Sequence, residues 1–120
     1  MDKDVRRDLN LPDPSLVVRG GLTAEESFLR ASGVKIDSNG RLEGISVQSA
    51  PDRSVKELVG FWVPHKRIGV TTAGKIRAAG GYLLKEPLRN NPYHCVVSGL
   101  TAAQLAKLLS PSVPTPRGRS

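Results

Sequence analysis

Short apolar runs, each rich in β-branched residues and bounded by glycine, proline or charged residues, recur along the chain. Runs of this length and composition are typical of short strands. Six of them predict strands and read SLVV, VKID, GISVQS, RIGVT, GYLL and HCVVS in chain order. After the second run, the segment DSNGR carries Asn39-Gly40, a pair that favours the tight turn of a β-hairpin.

Helix starts are marked by a Ser or Thr followed three residues later by Glu or Gln, which is the capping-box pattern. It occurs at Thr23, Ser54 and Thr101, each time ahead of apolar residues at helical spacing. A fourth helix is predicted over 72–79, ending at Gly80 in the left-handed conformation. Strands and helices alternate irregularly, which predicts a single compact α+β domain. We expect a mixed or mostly antiparallel sheet of about five to six short strands, with three to four short helices.

The ends of the chain differ in composition from its middle. Residues 1–14 carry mixed charge and two prolines, so we expect a flexible N-terminal extension. Residues 110–120 hold three prolines and predict a Pro-rich, basic, flexible tail. Residues 15–109 form the predicted domain, because 120 residues are too few for two domains with separate cores.

The composition excludes several classes of protein. No apolar run approaches the ~18 residues of a membrane span, and the first residues lack the hydrophobic segment of a secretory signal. We therefore expect no membrane partner, and a protein that is cytoplasmic or exported without a signal peptide. One cysteine excludes an internal disulfide and a thiolate-rich zinc site. Two histidines without a nearby acidic cluster predict no metal site, and no cofactor is assigned.

The net charge of +7 is concentrated in the middle of the chain. The segment 53–89 contains eight basic residues and only two acidic ones. Such an excess favours an anionic partner, which we expect to be a nucleotide, a nucleic acid or an acidic partner protein such as an antitoxin. A solvated basic surface is the alternative interpretation. The low aromatic content, 4% of the chain, argues against an RNA-binding surface of stacked rings.

Arg19 ends the first predicted strand and is followed directly by Gly20 and Gly21. Because side chains alternate along a strand, Arg19 shares a face with Val17 and is expected to reach into a cleft. An arginine beside a glycine corner and a helix start is suited to bidentate phosphate binding. The two glycines permit close approach of an anion. The alternative is an edge arginine that extends into solvent.

His94 and Cys95 are neighbours on the last predicted strand, so they point to opposite faces and cannot form a nucleophile–base pair. Cys95 is interpreted as a small buried residue. His94 is a candidate general acid or base, or a donor to a substrate oxygen. A structural histidine bonded to the backbone is the alternative. On an earlier predicted strand, Ser46 and Gln48 share one face and either line a pocket or face water.

A basic cluster follows Pro64, where His65, Lys66 and Arg67 are consecutive. We interpret these three residues as a phosphate-facing cluster, with an exposed loop as the alternative. On the predicted helix that follows, two further residues are candidates for binding phosphate or nucleic acid, namely Lys75 and Arg77.

Four segments resemble a group of small, mostly uncharacterised bacterial domains, and they read VVRGG, GISVQSAPDRSVKEL, PHKRIGVTTAGKIRAAGG and NNPYHCVVSGLT. The resemblance spans residues 16–109. Domains of this group occur alone or at the C-terminal ends of larger proteins, and the resemblance implies no particular activity.

A looser similarity links the chain to ADP-ribosyltransferase-like bacterial toxins, including those delivered by type VI secretion. In those folds an arginine on the first strand contacts the dinucleotide, a middle strand carries a serine, and a late strand carries the catalytic glutamate. The resemblance implies the first role for Arg19 and the second for Ser46, with NAD as a candidate substrate. The last predicted strand offers His94 and Ser98 but no acid, and Glu86 lies in a predicted turn. The similarity therefore implies a nucleotide-binding relative or an altered mechanism.

Three hypotheses remain open at this point. The first is a toxin-like enzyme acting on NAD or nucleic acid, either ADP-ribosyltransferase-like or RNase-like, and it requires one cleft to hold Arg19, Ser46, His65 and His94. The second is a non-catalytic module whose basic segment 53–89 forms a continuous positive face for nucleic acid or an acidic protein. The third is a small structural or interaction domain. The glycine corner and the arginine at a strand end favour the first.

Overall fold

The computed structural model describes residues 11–21, 23–31, 33–60, 63–86 and 91–116. These ranges contain nine strands and four helices, in the α+β arrangement predicted from the sequence. The helices are α1 (Glu25–Leu29), α2 (Val55–Val59), α3 (Ala73–Ala78) and α4 (Ala102–Leu109). The strands are β1 (Leu16–Gly20), β2 (Lys35–Ile36), β3 (Arg41–Glu43), β4 (Ile45–Ser49), β5 (Arg67–Thr72), β6 (Tyr82–Lys85), β7 (His94–Ser98), β8 (Leu100–Thr101) and β9 (Val113–Pro114). None of the four described helices has the length and apolar character needed to cross a membrane.

Six strands form one antiparallel sheet in the order β6-β7-β4-β1-β5-β9, and β2-β3-β8 form a smaller antiparallel sheet. All six strands predicted from the apolar runs are present, five of them in the large sheet. Val18 of β1 lies opposite Gln48 of β4, and Gln48 lies opposite His94 of β7. Residues paired in this way point to the same face, so these three form one row across the sheet.

Apolar residues cover the two faces of the large sheet unequally. One face is covered by α1, α3 and α4, and its buried residues include Val17, Phe28, Ile76 and Leu105. The other face is covered, among the described helices, only by α2, in a cluster of Val18, Leu58, Val59, Val63 and Ile68. A five-residue helix is about 7.5 Å long, whereas six strands span roughly 24 Å. Helix α2 therefore spans only part of this face, although the central row of Val18, Gln48 and His94 is buried.

Three of the four helix starts agree with the predictions. Ser54 and Thr101 each accept a hydrogen bond from the backbone N–H three residues later, and the Glu or Gln at that position completes the capping box. Thr72 caps α3 through its hydroxyl, and Gly80 beyond the end of α3 has a φ of 100°. The side chains that satisfy the first backbone N–H groups thus fix where these helices begin.

The capping box predicted at Thr23 is wrong. Helix α1 begins after Ala24, and no side chain caps its first turn. The Thr23 hydroxyl lies instead 3.1 Å from the hydroxyl of Ser110, 87 residues later in the chain. A tertiary hydrogen bond has replaced the local one, and a local sequence pattern does not reveal such a partner.

The predicted hairpin connects β2 and β3. Asp37 Oδ1 accepts hydrogen bonds of 2.8 Å from the backbone N–H groups of Asn39 and Arg41. Gly40 has a φ of 78°, a conformation that side-chain-bearing residues rarely adopt. The turn residues therefore form the hairpin that Asn39-Gly40 predicted.

Strand pairing continues beyond the predicted domain boundary at Leu109. The tail strand β9 pairs with β5 and forms an edge of the large sheet. The Arg67 side chain contributes to this contact, because Nε donates to Ser112 Oγ at 2.8 Å and Nη2 donates to the Ser112 carbonyl at 2.6 Å. A two-residue edge strand that contains proline has no alternating pattern, so the sequence does not indicate it.

The described part of the N-terminal extension also packs against the domain. Leu11 is buried in the larger apolar cluster. Asp13 accepts a hydrogen bond of 2.8 Å from Arg77 of α3. Residues 1–10 and 117–120 of the two predicted extensions lie outside the described ranges.

Candidate functional site

Arg19 leaves the end of β1 toward the face that carries Phe28 of α1. Its guanidinium carbon lies 5.4 Å from the centre of the Phe28 ring, and Nη1 donates to the Ser46 carbonyl oxygen at 2.8 Å. Burial lowers the pKa of Arg19 below its usual value, but an arginine remains charged at neutral pH. Its buried Nε has no hydrogen-bond partner among the described residues. The fold therefore holds a positive charge in place without using all of its donors.

His94 is 6% exposed, although it is a polar residue at the start of β7. Its Nδ1 lies 2.6 Å from the backbone carbonyl oxygen of Glu86. A carbonyl oxygen only accepts hydrogen bonds, so Nδ1 must carry the proton. In the neutral ring, Nε2 is then the basic nitrogen, and no described group bonds to it. The Glu86 carboxylate, 3.7 Å from Nδ1, favours the same orientation of the ring.

A buried pair of amide side chains supports the segment that leads to His94. Gln48 and Asn91 exchange two hydrogen bonds of 2.8 Å each. Gln48 Nε2 also donates to the Leu58 carbonyl at 3.3 Å, and the Asn91 carbonyl accepts from the His94 N–H at 3.3 Å. The amide pair therefore ties β4 and α2 to the turn before His94. The sequence analysis placed Gln48 on a polar face but did not identify Asn91 as its partner.

These residues line a cavity of about 290 Å³ on the face of the sheet that carries α2, which we call the His94 cleft. Strands β1, β4 and β7 and the segment before β5 contribute its walls, with Val18, Arg19, Gly20, Ser46, Val47, Gln48, Val63, His65, Asn91 and His94. The four residues grouped by the enzyme hypothesis, Arg19, Ser46, His65 and His94, thus line one cavity. The Arg19 side chain starts on the opposite face of the sheet and reaches the edge of this cavity at the Ser46 carbonyl. Ser46 is exposed and shares the Gln48 face, as side-chain alternation requires.

The glycine corner after β1 allows the His65 ring to lie against the backbone. A Cβ atom on Gly20 would clash with the side chains of His65 and Val63, and one on Gly21 would lie 3.1 Å from the His65 ring. Gly21 also has a φ of 96°. Both glycines are therefore needed to place His65, and the anion contact expected of them stays a prediction.

A larger cavity of about 810 Å³ adjoins the His94 cleft, and we call it the Lys66 groove. The two cavities share Arg19, Gly20 and His65. The remaining walls of the groove come from the glycine corner, the first part of α1, the start of β5 and the tail, with Gly21, Thr23, Ala24, Ser27, Lys66, Arg67, Ser110 and Ser112. The predicted basic cluster of His65, Lys66 and Arg67 therefore lies at the groove.

The charge of both cavities is positive. None of the described residues that line them is acidic, whereas Arg19, Lys66 and Arg67 are cationic. Lys66 is exposed and has no ion pair among the described residues. An anionic ligand is favoured in both cavities for this reason.

Lys75 and Arg77 do not lie with the other predicted binding residues. Lys75 lines a separate cavity of about 470 Å³ that also contains Lys107. Arg77 Nη1 donates to the Leu11 carbonyl at 2.7 Å and to Asp13 Oδ1 at 2.8 Å, so this side chain fastens the N-terminal segment. Helix α3 packs on the face of the sheet opposite the His94 cleft, which separates both residues from the cleft.

Within the described ranges, no three His, Cys, Asp or Glu side chains lie close enough together to hold a metal ion. Comparison with protein-family models, curated proteins and solved structures finds no match for this chain.

Proposed function

We propose that this protein is a toxin-like enzyme that cleaves RNA in the His94 cleft. The observation that carries the proposal is the orientation of His94, a buried histidine whose Nδ1–H is bound to a backbone carbonyl. This hydrogen bond leaves Nε2 as the ring nitrogen that can reach a ligand in a cavity also lined by Arg19 and Ser46. A base, a cation and a hydroxyl in one cleft are the groups that a metal-independent phosphodiester cleavage needs.

Four residues of the cleft have a role in the proposed reaction. Nε2 of His94 takes the proton of a ribose 2′-hydroxyl, and the oxygen attacks the adjacent phosphorus atom. The bond from phosphorus to the 5′-oxygen breaks, and His65 supplies the proton for that leaving oxygen. Arg19 stabilises the negative charge that develops on the phosphate, and Ser46 donates to a phosphate or sugar oxygen. The products are a 2′,3′-cyclic phosphate and a free 5′-hydroxyl.

The spacing of the strands is compatible with two histidines on opposite sides of a phosphate. His94 lies on β7, and the His65 ring lies over Gly20 of β1, with β4 between the two strands. Two strand spacings correspond to about 10 Å between the backbones. Side chains that extend inward from both sides leave room for a phosphodiester between them.

ADP-ribosyl transfer from NAD is the second candidate reaction, since the similarity to toxins of that kind assigns Arg19 and Ser46 the same two positions. A conventional transferase also needs the catalytic glutamate of that family. The described residues that line the His94 cleft include no acid. The Glu86 carboxylate lies beside Nδ1 of the His94 ring and not beside Nε2, the nitrogen assigned to the reaction. The arrangement therefore favours RNA over NAD as the substrate.

A non-catalytic basic module requires a continuous positive face. Arg53 is paired with Glu57 at 3.2 Å, and Arg77 is paired with Asp13 at 2.8 Å, so part of the positive charge is neutralised locally. The cations that remain at the two cavities would also attract an acidic partner protein of the antitoxin type. In this proposal, such a partner inhibits the enzyme by covering them.

The proposal is tested by incubating the purified protein separately with an RNA oligonucleotide, the DNA oligonucleotide of the same sequence, and NAD. We expect RNA fragments that end in a 2′,3′-cyclic phosphate, detected by mass spectrometry, and intact DNA because it lacks the attacking hydroxyl. Induced expression in a bacterial host is expected to arrest growth. Consumption of NAD with intact RNA would support the transferase instead, and three unchanged substrates would contradict an enzymatic role.

A further inference from the structure

We infer that the Lys66 groove is a second subsite, which binds the next phosphate and sugar of the strand beyond the dinucleotide that contains the scissile phosphate, so that the substrate is a single-stranded chain of more than two nucleotides. The inference rests on the proposed function, because it takes the His94 cleft as the first subsite. It adds the length and the strandedness of the substrate, and it assigns Lys66 a role in binding.

The sizes of the two cavities indicate that neither acts alone. Ligand pockets usually measure about 300–1,000 Å³. The His94 cleft, at about 290 Å³, is at the lower limit of that range and is too small for a base pair, whereas the Lys66 groove measures about 810 Å³. A substrate whose reacting phosphate occupies the cleft therefore places the next part of its strand elsewhere, and the groove is the adjoining space.

The two cavities meet at Arg19, Gly20 and His65, which line both of them. A strand that extends from one cavity into the other passes these residues, and the charge of Arg19 lies where two successive phosphates can approach it. A strand that crosses here remains in contact with the residues assigned to the reaction.

The chemistry of the groove matches a phosphate and a sugar. Lys66 is exposed and has no ion pair among the described residues, so its ammonium is available to a phosphate. Arg67 Nε and Nη2 bond to Ser112, and its Nη1 has no hydrogen-bond partner within the described part of the chain. The tail forms the outer wall, and the hydrogen bond between Thr23 and Ser110 connects it to the α1 side. Two cations and several hydroxyl groups, without an acid, favour a polyanion with sugar hydroxyls.

The inference is tested by binding and not by cleavage. Oligoribonucleotides of two, four and six residues with 2′-O-methyl groups lack the attacking hydroxyl, so they bind without reacting. We expect the affinity of the wild-type protein to rise by about tenfold from two to four residues, as one further phosphate contact forms, and to change little from four to six. Fluorescence anisotropy with competing unlabelled oligonucleotides measures this series at several salt concentrations.

The variant Lys66→Ala should lose most of that gain while keeping its affinity for the dinucleotide. For the tetranucleotide, the slope of log affinity against log salt concentration should be smaller in magnitude by about 0.7 in this variant, which is the value for one phosphate contact to a single strand. Lys75→Ala is the matched control, because Lys75 is also an exposed lysine but lies at a different cavity. Its affinities for all three oligonucleotide lengths should equal those of the wild type, and circular dichroism should show that both variants are folded.

Two results would overturn the inference. One is an affinity that does not differ between two and four residues in the wild-type protein. The other is an equal loss for Lys66→Ala and Lys75→Ala at every length, which would indicate general attraction to a basic surface. A length-dependent gain in a protein that cuts no RNA would retain the second subsite and reject the proposed reaction. RNA cleavage without a gain in affinity from two to four residues would retain the proposed reaction and reject the second subsite.

Discussion

Replacing His94 with glutamine is expected to slow RNA cleavage by about 10²- to 10⁴-fold, the usual contribution of a general base. Glutamine is similar to histidine in size, but it has no basic nitrogen to accept the 2′-hydroxyl proton. Single-turnover cleavage of an RNA oligonucleotide at saturating protein isolates this step. The loss should lie in the rate of cleavage and not in the affinity for the oligonucleotide.

Cys95 provides a matched control for the His94 variant. It is the next residue of β7, and its side chain is buried on the opposite face of the sheet. The variant Cys95→Ala should lower the free energy of unfolding by about 1 kcal/mol, as small deletions in a core do, and should leave the cleavage rate unchanged. If both variants lost activity in proportion to their loss of stability, measured by urea unfolding, His94 would act through the fold and the catalytic role would be rejected.

Replacing Arg19 with alanine is expected to lower kcat/KM for RNA by about 10²- to 10³-fold, because the reaction would lose the charge that stabilises its transition state. The variant Arg19→Lys should recover only part of this loss. Lysine keeps the charge, but it lacks the planar fork that allows Arg19 to bond the Ser46 carbonyl and an anion at once. Initial rates of cleavage at several RNA concentrations give kcat and KM separately.

Arg53→Ala is the corresponding control for charge. Arg53 forms an exposed ion pair with Glu57 and lines neither cavity, and such pairs contribute about 0–1 kcal/mol. Its kcat/KM should equal that of the wild type after correction for salt. An equal loss in Arg19→Ala and Arg53→Ala would show that total charge matters and that the position of Arg19 does not.

The helices and strands that could be predicted from the sequence are those with a local signal. Ser54 and Thr101 begin helices because each side chain bonds a backbone N–H three residues away, and both members of that contact lie within one short segment. The six apolar runs predicted their strands for the same reason. The failure at Thr23 has the opposite cause, because its hydroxyl is bonded to Ser110 in the distant tail.

The strands that the sequence did not indicate are the short ones. Strands β8 and β9 have two residues each and β3 has three, which is too few to establish an alternating pattern. They form because their partners are already in place, as when β9 adds to the edge of β5. Tertiary pairing, and not local preference, determines these segments.

The sequence indicated most residues of the candidate site, but it did not indicate the contacts between them. The alternation of β1 indicated which face Arg19 occupies, and the position of His94 on a strand indicated that it and Cys95 diverge. The bond from His94 to the Glu86 carbonyl could not be predicted, because the acceptor is a backbone atom just beyond the end of the neighbouring strand β6. The Gln48–Asn91 amide pair joins residues 43 positions apart and depends on the same sheet pairing.

The central claim is that the hydrogen bond to Glu86 makes Nε2 of His94 the basic nitrogen of the cleft. Nitrogen-15 NMR of the imidazole ring, recorded at alkaline pH with and without a 2′-O-methyl tetranucleotide, tests it most directly. We predict a proton on Nδ1, an unprotonated Nε2, and a change in the Nε2 signal when the oligonucleotide binds. A proton on Nε2, or an Nε2 signal that the bound oligonucleotide leaves unchanged, would contradict the account.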